Sequence, residues 1–164
     1  MTTNDLQPGP ELDAQVGKAL GLDVLGIMKV NPNYEEAGCY YMPPHPLCVS
    51  PCAVERPVYL LNCYCETDST PDNRPYFGHC YHCLEVVSDY STNRAAAGLI
   101  VDHLIARGML QLETDGDGVR IRFVPRGGFR PGLCEAVMHG PTMQLALCRL
   151  LVMLDRNAKD ERSE

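Results

Sequence analysis

The stretch Leu61–Cys83, LNCYCETDSTPDNRPYFGHCYHC, sets four cysteines in two short pairs, Cys63-x-Cys65 and Cys80-x2-Cys83, with His79 and His82 beside the second pair. Upstream, Pro43, Pro44, Pro46, Pro51 and Pro57 interrupt the chain, forbid a continuous helix and disfavour a central strand. Residues 31–88 are therefore expected to be an insertion that needs something other than backbone pairing and apolar burial to order it. A metal ion supplies that. Zinc takes four soft or borderline ligands in a tetrahedron, with thiolate sulfur about 2.3 Å away. Two cysteine pairs separated by fourteen residues offer such a set.

The spacing leaves the ligand set open. Cys80-x2-Cys83 has ordinary knuckle spacing, whereas Cys63-x-Cys65 must bend. In a regular strand, positions two apart lie about 7 Å from each other. Glu66-Thr67-Asp68 can provide the bend. Either His79 or His82 can replace a thiolate. A second pair, Cys48-x3-Cys52, has Cys39 and His45 nearby and can substitute for one pair or build a second site. Four-thiolate sites are closed and structural, while catalytic zinc keeps a position open.

Cysteine use fits this reading. The chain has nine cysteines, an odd number, and its first residues show neither a basic segment nor an apolar one of the secretory kind. The expected address is a cytoplasm, where clustered thiols favour metal over disulfides. No apolar run of membrane-spanning length occurs. The formal net charge of −7 repels nucleic acid. A local exception is VRIRFVPRGGFR, with Arg120, Arg122, Arg126 and Arg130, although Arg120 and Arg122 alternate as the solvent face of a strand would.

Periodicity gives the rest. Residues 1–10 read as a polar tail. Leu12, Val16, Ala19 and Leu20 line one face of a helix over Glu11–Leu20, stopped by Gly21. Asp23–Val30, Val58–Tyr64 and Leu84–Val87 are short strand candidates. A helix begins at Ser91 or Thr92 as N-cap, lines one face with Ala97, Ile100, Val101, Leu104 and Ile105, and stops at Gly108; its His103 is expected at the surface. TDGDG joins Met109–Glu113 to Val119–Val124 as a hairpin. A last helix starts at Pro141, runs to about Asn157 and is buried on most sides; Cys148 is a small core residue within it. Residues 158–164 are a polar tail. The sum is an α+β fold, helices on an antiparallel or mixed sheet.

The segments DYSTNRAAAGLIVDHL, VRIRFV and GPTMQLALCRLLVML, with LDAQVGKALGLDV before them, resemble the phage ABA sandwich domain family. The resemblance covers about residues 11–30 and 88–157. It implies an α/β/α sandwich over residues 11–157, encoded by a phage or prophage and acting in the host cell cytoplasm. The chain departs from many members in lacking tryptophan and in carrying the Cys/Pro insertion. No catalytic residues transfer.

Motifs for catalysis are missing from the sequence. There is no zinc-deaminase His-x-Glu with Pro-Cys-x2-Cys, no His-Glu-x2-His, no phosphate loop and no nucleophile elbow. Asp115 and Asp117 lack the other calcium ligands of an EF-hand. Cys134 and His139, five apart around an expected turn, lack an orienting third group. Tyr34, Tyr40 and Tyr41 either pack the insertion or form a binding surface. The expected function is a non-catalytic accessory protein that binds a host or phage protein or a small ligand, counter-defence among its roles, through a Zn2+-stabilised insertion. A nucleic-acid accessory protein using zinc knuckles and the Arg120–Arg130 region, and a zinc enzyme, are the alternatives. The wide apolar last helix permits a homo-oligomer.

Overall fold

A computed structural model describes residues 3–30, 54–60, 84–116, 118–126 and 135–161. The order is α1 (Pro10–Ala19), β1 (Val24–Val30), β2 (Val54–Leu60), β3 (Leu84–Val86), α2 (Arg94–Ile105), β4 (Gly108–Asp115), β5 (Gly118–Pro125), β6 (Ala136–Gly140) and α3 (Met143–Asp160). The fold is α+β, as the periodicities imply. The strands form two antiparallel three-stranded sheets, β1-β2-β3 and β4-β5-β6. The chain divides into two compact units, Met1–Gly21 with Ser88–Glu164, and Leu22–Val87. β1 thus belongs with the strands of the Cys/Pro-rich segment.

In the larger unit, α3 packs on β5 and β6, α2 on β4, and α1 on α3. Alternation along β5 explains the side chosen: Ile121 and Phe123 are fully buried, while Arg120 and Arg122 are exposed, as expected. Ala136 and Met138 continue the buried face on β6. The β4–β5 hairpin closes at Asp115 and Gly118, around the expected TDGDG turn. Gly21 ends α1 with φ +91° and donates its N–H to the Lys18 carbonyl at 3.0 Å, the left-handed stop that glycine favours.

Several boundaries differ from expectation, each for a local reason. The cap of α2 is Asn93, whose Oδ1 accepts from Ala95 N–H (2.9 Å) and Ala96 N–H (3.3 Å). Ser91 is occupied elsewhere, as described below. The helix ends at Ile105 with Ala106 as its cap, so Gly108 is not its stop; it opens β4, where a Cβ would lie 2.6 Å from the Phe123 ring. The cap of α3 is Thr142, accepting from Leu145 N–H, and the helix runs to Asp160, where Lys159 pairs with Asp155 at 2.6 Å. Residues 136–140, expected near a turn, form the edge strand β6. Within the stretch expected as a polar tail, Leu6 is buried, and Arg149 holds its carbonyl through Nε (2.9 Å) and Nη2 (2.7 Å).

β2 lies four residues upstream of its expected start and is the central strand of its sheet despite Pro57. The ladder explains why this costs little. Val87 N–H donates to the Pro57 carbonyl at 2.8 Å, so the backbone of residue 57 faces the β3 side. Toward β1, Pro57 sits opposite Ile27 in a position that needs no N–H. The missing donor falls just past the last residue of β3, where the ladder ends anyway.

Candidate functional site

Every expected metal ligand, namely Cys39, His45, Cys48, Cys52, Cys63, Cys65, His79, Cys80, His82 and Cys83, lies outside the described residues, as do Tyr34, Tyr40, Tyr41, Asp117, Arg130 and Cys134. Among the described residues no group of three or more His, Cys, Asp or Glu side chains is placed to hold a metal ion. What the structure does give is the frame to which the ligand-bearing segments attach. Leu60 pairs with Leu84, so both ends of residues 61–83 start from one rung of the sheet. Cys63 follows that rung by three residues, and Cys83 immediately precedes it. Tyr59 Oη donates to Glu85 Oε2 at 2.6 Å across the neighbouring rung and ties the two strands together.

The other segment, 31–53, joins β1 to β2 at the rung of Val30 and Val54. That rung is the opposite end of β2, six residue steps or about 20 Å away. The candidate ligands thus fall into two sets by attachment. Cys63, Cys65, His79, Cys80, His82 and Cys83 belong to the Leu60 end; Cys39, His45, Cys48 and Cys52 belong to the Val54 end.

Each unit buries apolar residues of its own among those described. In the smaller one, Val58 and Val87 are fully buried and Val24 is buried, with Leu25, Met28, Leu60 and Val86 partly buried around Val58. The larger unit buries Leu12, Val16, Ile100, Leu104, Ile121, Phe123, Leu147, Leu150 and Leu151.

The arginine face of the larger unit is matched by carboxylates. Arg122 Nε meets Glu135 Oε1 at 2.7 Å, and Arg120 Nη1 lies 3.7 Å from Glu113 Oε2. Nucleic-acid binding draws on cations free to replace phosphate counterions, and these two pairs offset that charge locally. His139 is exposed on β6, opposite Arg120.

No family model, no curated protein and no solved structure matches the chain. No described helix is long and apolar enough to cross a membrane.

The DYST stretch has a structural use that composition did not reveal. Ser91 N–H donates to Asp13 Oδ1 at 2.8 Å, and Ser91 Oγ accepts from Gly9 N–H at 3.1 Å. Asp13 and Ser91 are both buried, so this pair of bonds fixes the start of α1 to the turn before α2. Asp13 sits on the buried side of α1 with Leu12 and Val16, and a sequence reading for apolar faces passes over it. Asp13→Ala leaves the buried Ser91 N–H without its acceptor. The expected cost is about 1–3 kcal/mol, checked by urea unfolding with an unchanged m-value.

Two further titratable groups are settled by their surroundings. Burial, and then Asp13, push the Cys148 thiol far up, so it stays protonated and acts as the small core residue expected. His103 is half-buried rather than on the surface, and its Nε2 has no hydrogen-bond partner among the described residues. Burial, then Arg107, lower its pKa from the usual 6.5. The fold therefore favours the neutral ring, and the unfolded chain takes up the proton first on acidification. The stability is fully present above pH 6.5 and declines below it. Thermal melts across that pH should fall more steeply for the wild type than for His103→Gln.

Proposed function

We propose that the chain is a phage- or prophage-encoded accessory protein of the host cytoplasm. In this reading it is non-catalytic and binds a host or phage protein or a small ligand through the Leu22–Val87 unit, which a structural Zn2+ holds in order. The observation that supports the reading is the attachment of residues 61–83 at one rung, Leu60 with Leu84, so that the segment bearing both cysteine pairs leaves and rejoins the sheet at paired strand ends. Small units are commonly held by disulfides or a metal in addition to their core, and zinc binding supplies folding free energy directly. The cysteine pairs at the Leu60–Leu84 rung supply the donors, Cys63, Cys65, Cys80 and Cys83, with His79 and His82 as substitutes.

Such a site is closed by four protein ligands, which suits architecture rather than catalysis. The resemblance of residues 11–30 and 88–157 to the phage ABA sandwich family supports the proposed origin. The test is metal analysis of the full chain purified under reducing conditions, with thiols counted before and after denaturation. One tightly held zinc and at least three thiols masked until denaturation are expected. Folded, metal-free protein with all nine thiols reactive under denaturant and none protected by metal would overturn the reading.

A further inference from the structure

We propose that the outer edge of β4 is a pairing surface for a second copy of this chain, related by a two-fold axis through Gln111. Among the described residues β4 is an edge strand of its sheet, eight residues long, carrying neither proline nor lysine. Such an edge is a template for another strand, and proteins normally blunt it.

The register decides which backbone groups face outward. Arg126 N–H donates to the Arg107 carbonyl at 2.9 Å, and the β4–β5 pairing continues from there without a shift. Hydrogen-bonded positions alternate in an antiparallel pair. Residues 107, 109, 111, 113 and 115 therefore turn their backbone groups toward β5, and Gly108, Leu110, Leu112 and Thr114 turn theirs outward. That outward set is symmetric about Gln111. Antiparallel pairing with a copy in this register joins Gly108 to Thr114 and Leu110 to Leu112, each twice, and uses all four outward N–H and C=O groups on both chains.

The side chains agree with the same register. Leu112 shares a face with its rung partner Ile121, which is fully buried, yet Leu112 itself is 45% exposed. Its exposure lies at the open edge, where Leu110 of a second copy would stand beside it. Leu99, Ile105 and Met109, on α2 and β4, are also exposed large apolar residues. Gln111 falls opposite itself. β4 is thus complementary to itself in this register, and the isologous pairing closes on itself as a dimer.

The experiment is sedimentation of the full chain over a concentration series reaching the millimolar range. The wild type should show a species of twice 18.1 kDa. Leu112→Pro removes an outward donor and no β4–β5 bond, and Leu112→Lys places a charge on the edge; both should sediment as monomers with wild-type far-UV circular dichroism. Gln111→Cys tests the axis. Opposed residues in such a non-hydrogen-bonded pair have Cα atoms about 4.5 Å apart, within disulfide range. Mild oxidation should therefore cross-link this variant beyond the wild-type level, and Glu113→Cys should not. A wild type that stays monomeric throughout, a dimer that survives both Leu112 changes, or cross-linking at 113 instead of 111 overturns the proposal.

Discussion

Phe123→Ala is expected to destabilise the larger unit by about 3–5 kcal/mol, the range for losing a buried aromatic ring from a packed core. Phe123 is fully buried on the central strand β5 and is the bulkiest of the fully buried side chains among the described residues. Its ring lies against Gly108, where any Cβ would collide with it and with the Val124 carbonyl. That glycine shows the ring filling a space the backbone has been shaped to leave. The cavity cannot close by a shift of Gly108, which has no side chain to move inward. Relaxation must come from the helix layer, already packed through Leu147, Leu150 and Leu151. Small domains are stable by only about 5–15 kcal/mol, so the loss is a large fraction of the total. Urea unfolding followed by far-UV circular dichroism reads it as a lower midpoint. A change below about 1 kcal/mol would mean that the ring is not part of the core.

Why some elements were legible and others not follows from how they are stabilised. α1, α2 and α3 each bury a stripe at helical spacing, and such stripes are written in local sequence: Leu12 and Val16, Ala97, Ile100 and Leu104, Leu147, Leu150, Leu151 and Leu154. The β4–β5 hairpin is announced by its turn. β2 starts upstream of its expected place because proline reads as a breaker of central strands, and the end of β3 beside Pro57 makes it harmless here. β6, five residues with a histidine and a glycine, has too short an alternation to stand out. Asp13 and Arg149 are buried by partners 78 and 143 residues distant in the chain, and no window of sequence contains such a pair. The ligand cluster has the reverse character. Its residue types and spacing are plain, but which four converge depends on how segments attached at the two ends of β2 fold.

That last dependence makes the paired substitution Cys80→Ser with Cys83→Ser the most informative for the proposed zinc site. Serine keeps the size and replaces a soft thiolate by a hydroxyl that zinc binds poorly, so the variant should lose the metal. The consequence for order follows from the position of the pair. Cys83 adjoins Leu84, the first residue of β3, and β3 has only three residues on β2. A metal bridge from Cys65 to Cys80 also cross-links a loop whose closure is worth about 3 kcal/mol in chain entropy. With the bridge gone, amides of β2 and β3 should exchange rapidly with solvent, while Ile121 and Phe123 in the larger unit keep their protection, since each unit buries its own apolar cluster. Cys48→Ser with Cys52→Ser is the control, because that pair attaches at the Val54 end of β2. It should leave one zinc bound and β3 protected. Zinc retained after loss of Cys80 and Cys83, but released after loss of Cys48 and Cys52, would move the site to the Val54 end and make the Leu60–Leu84 rung a bystander.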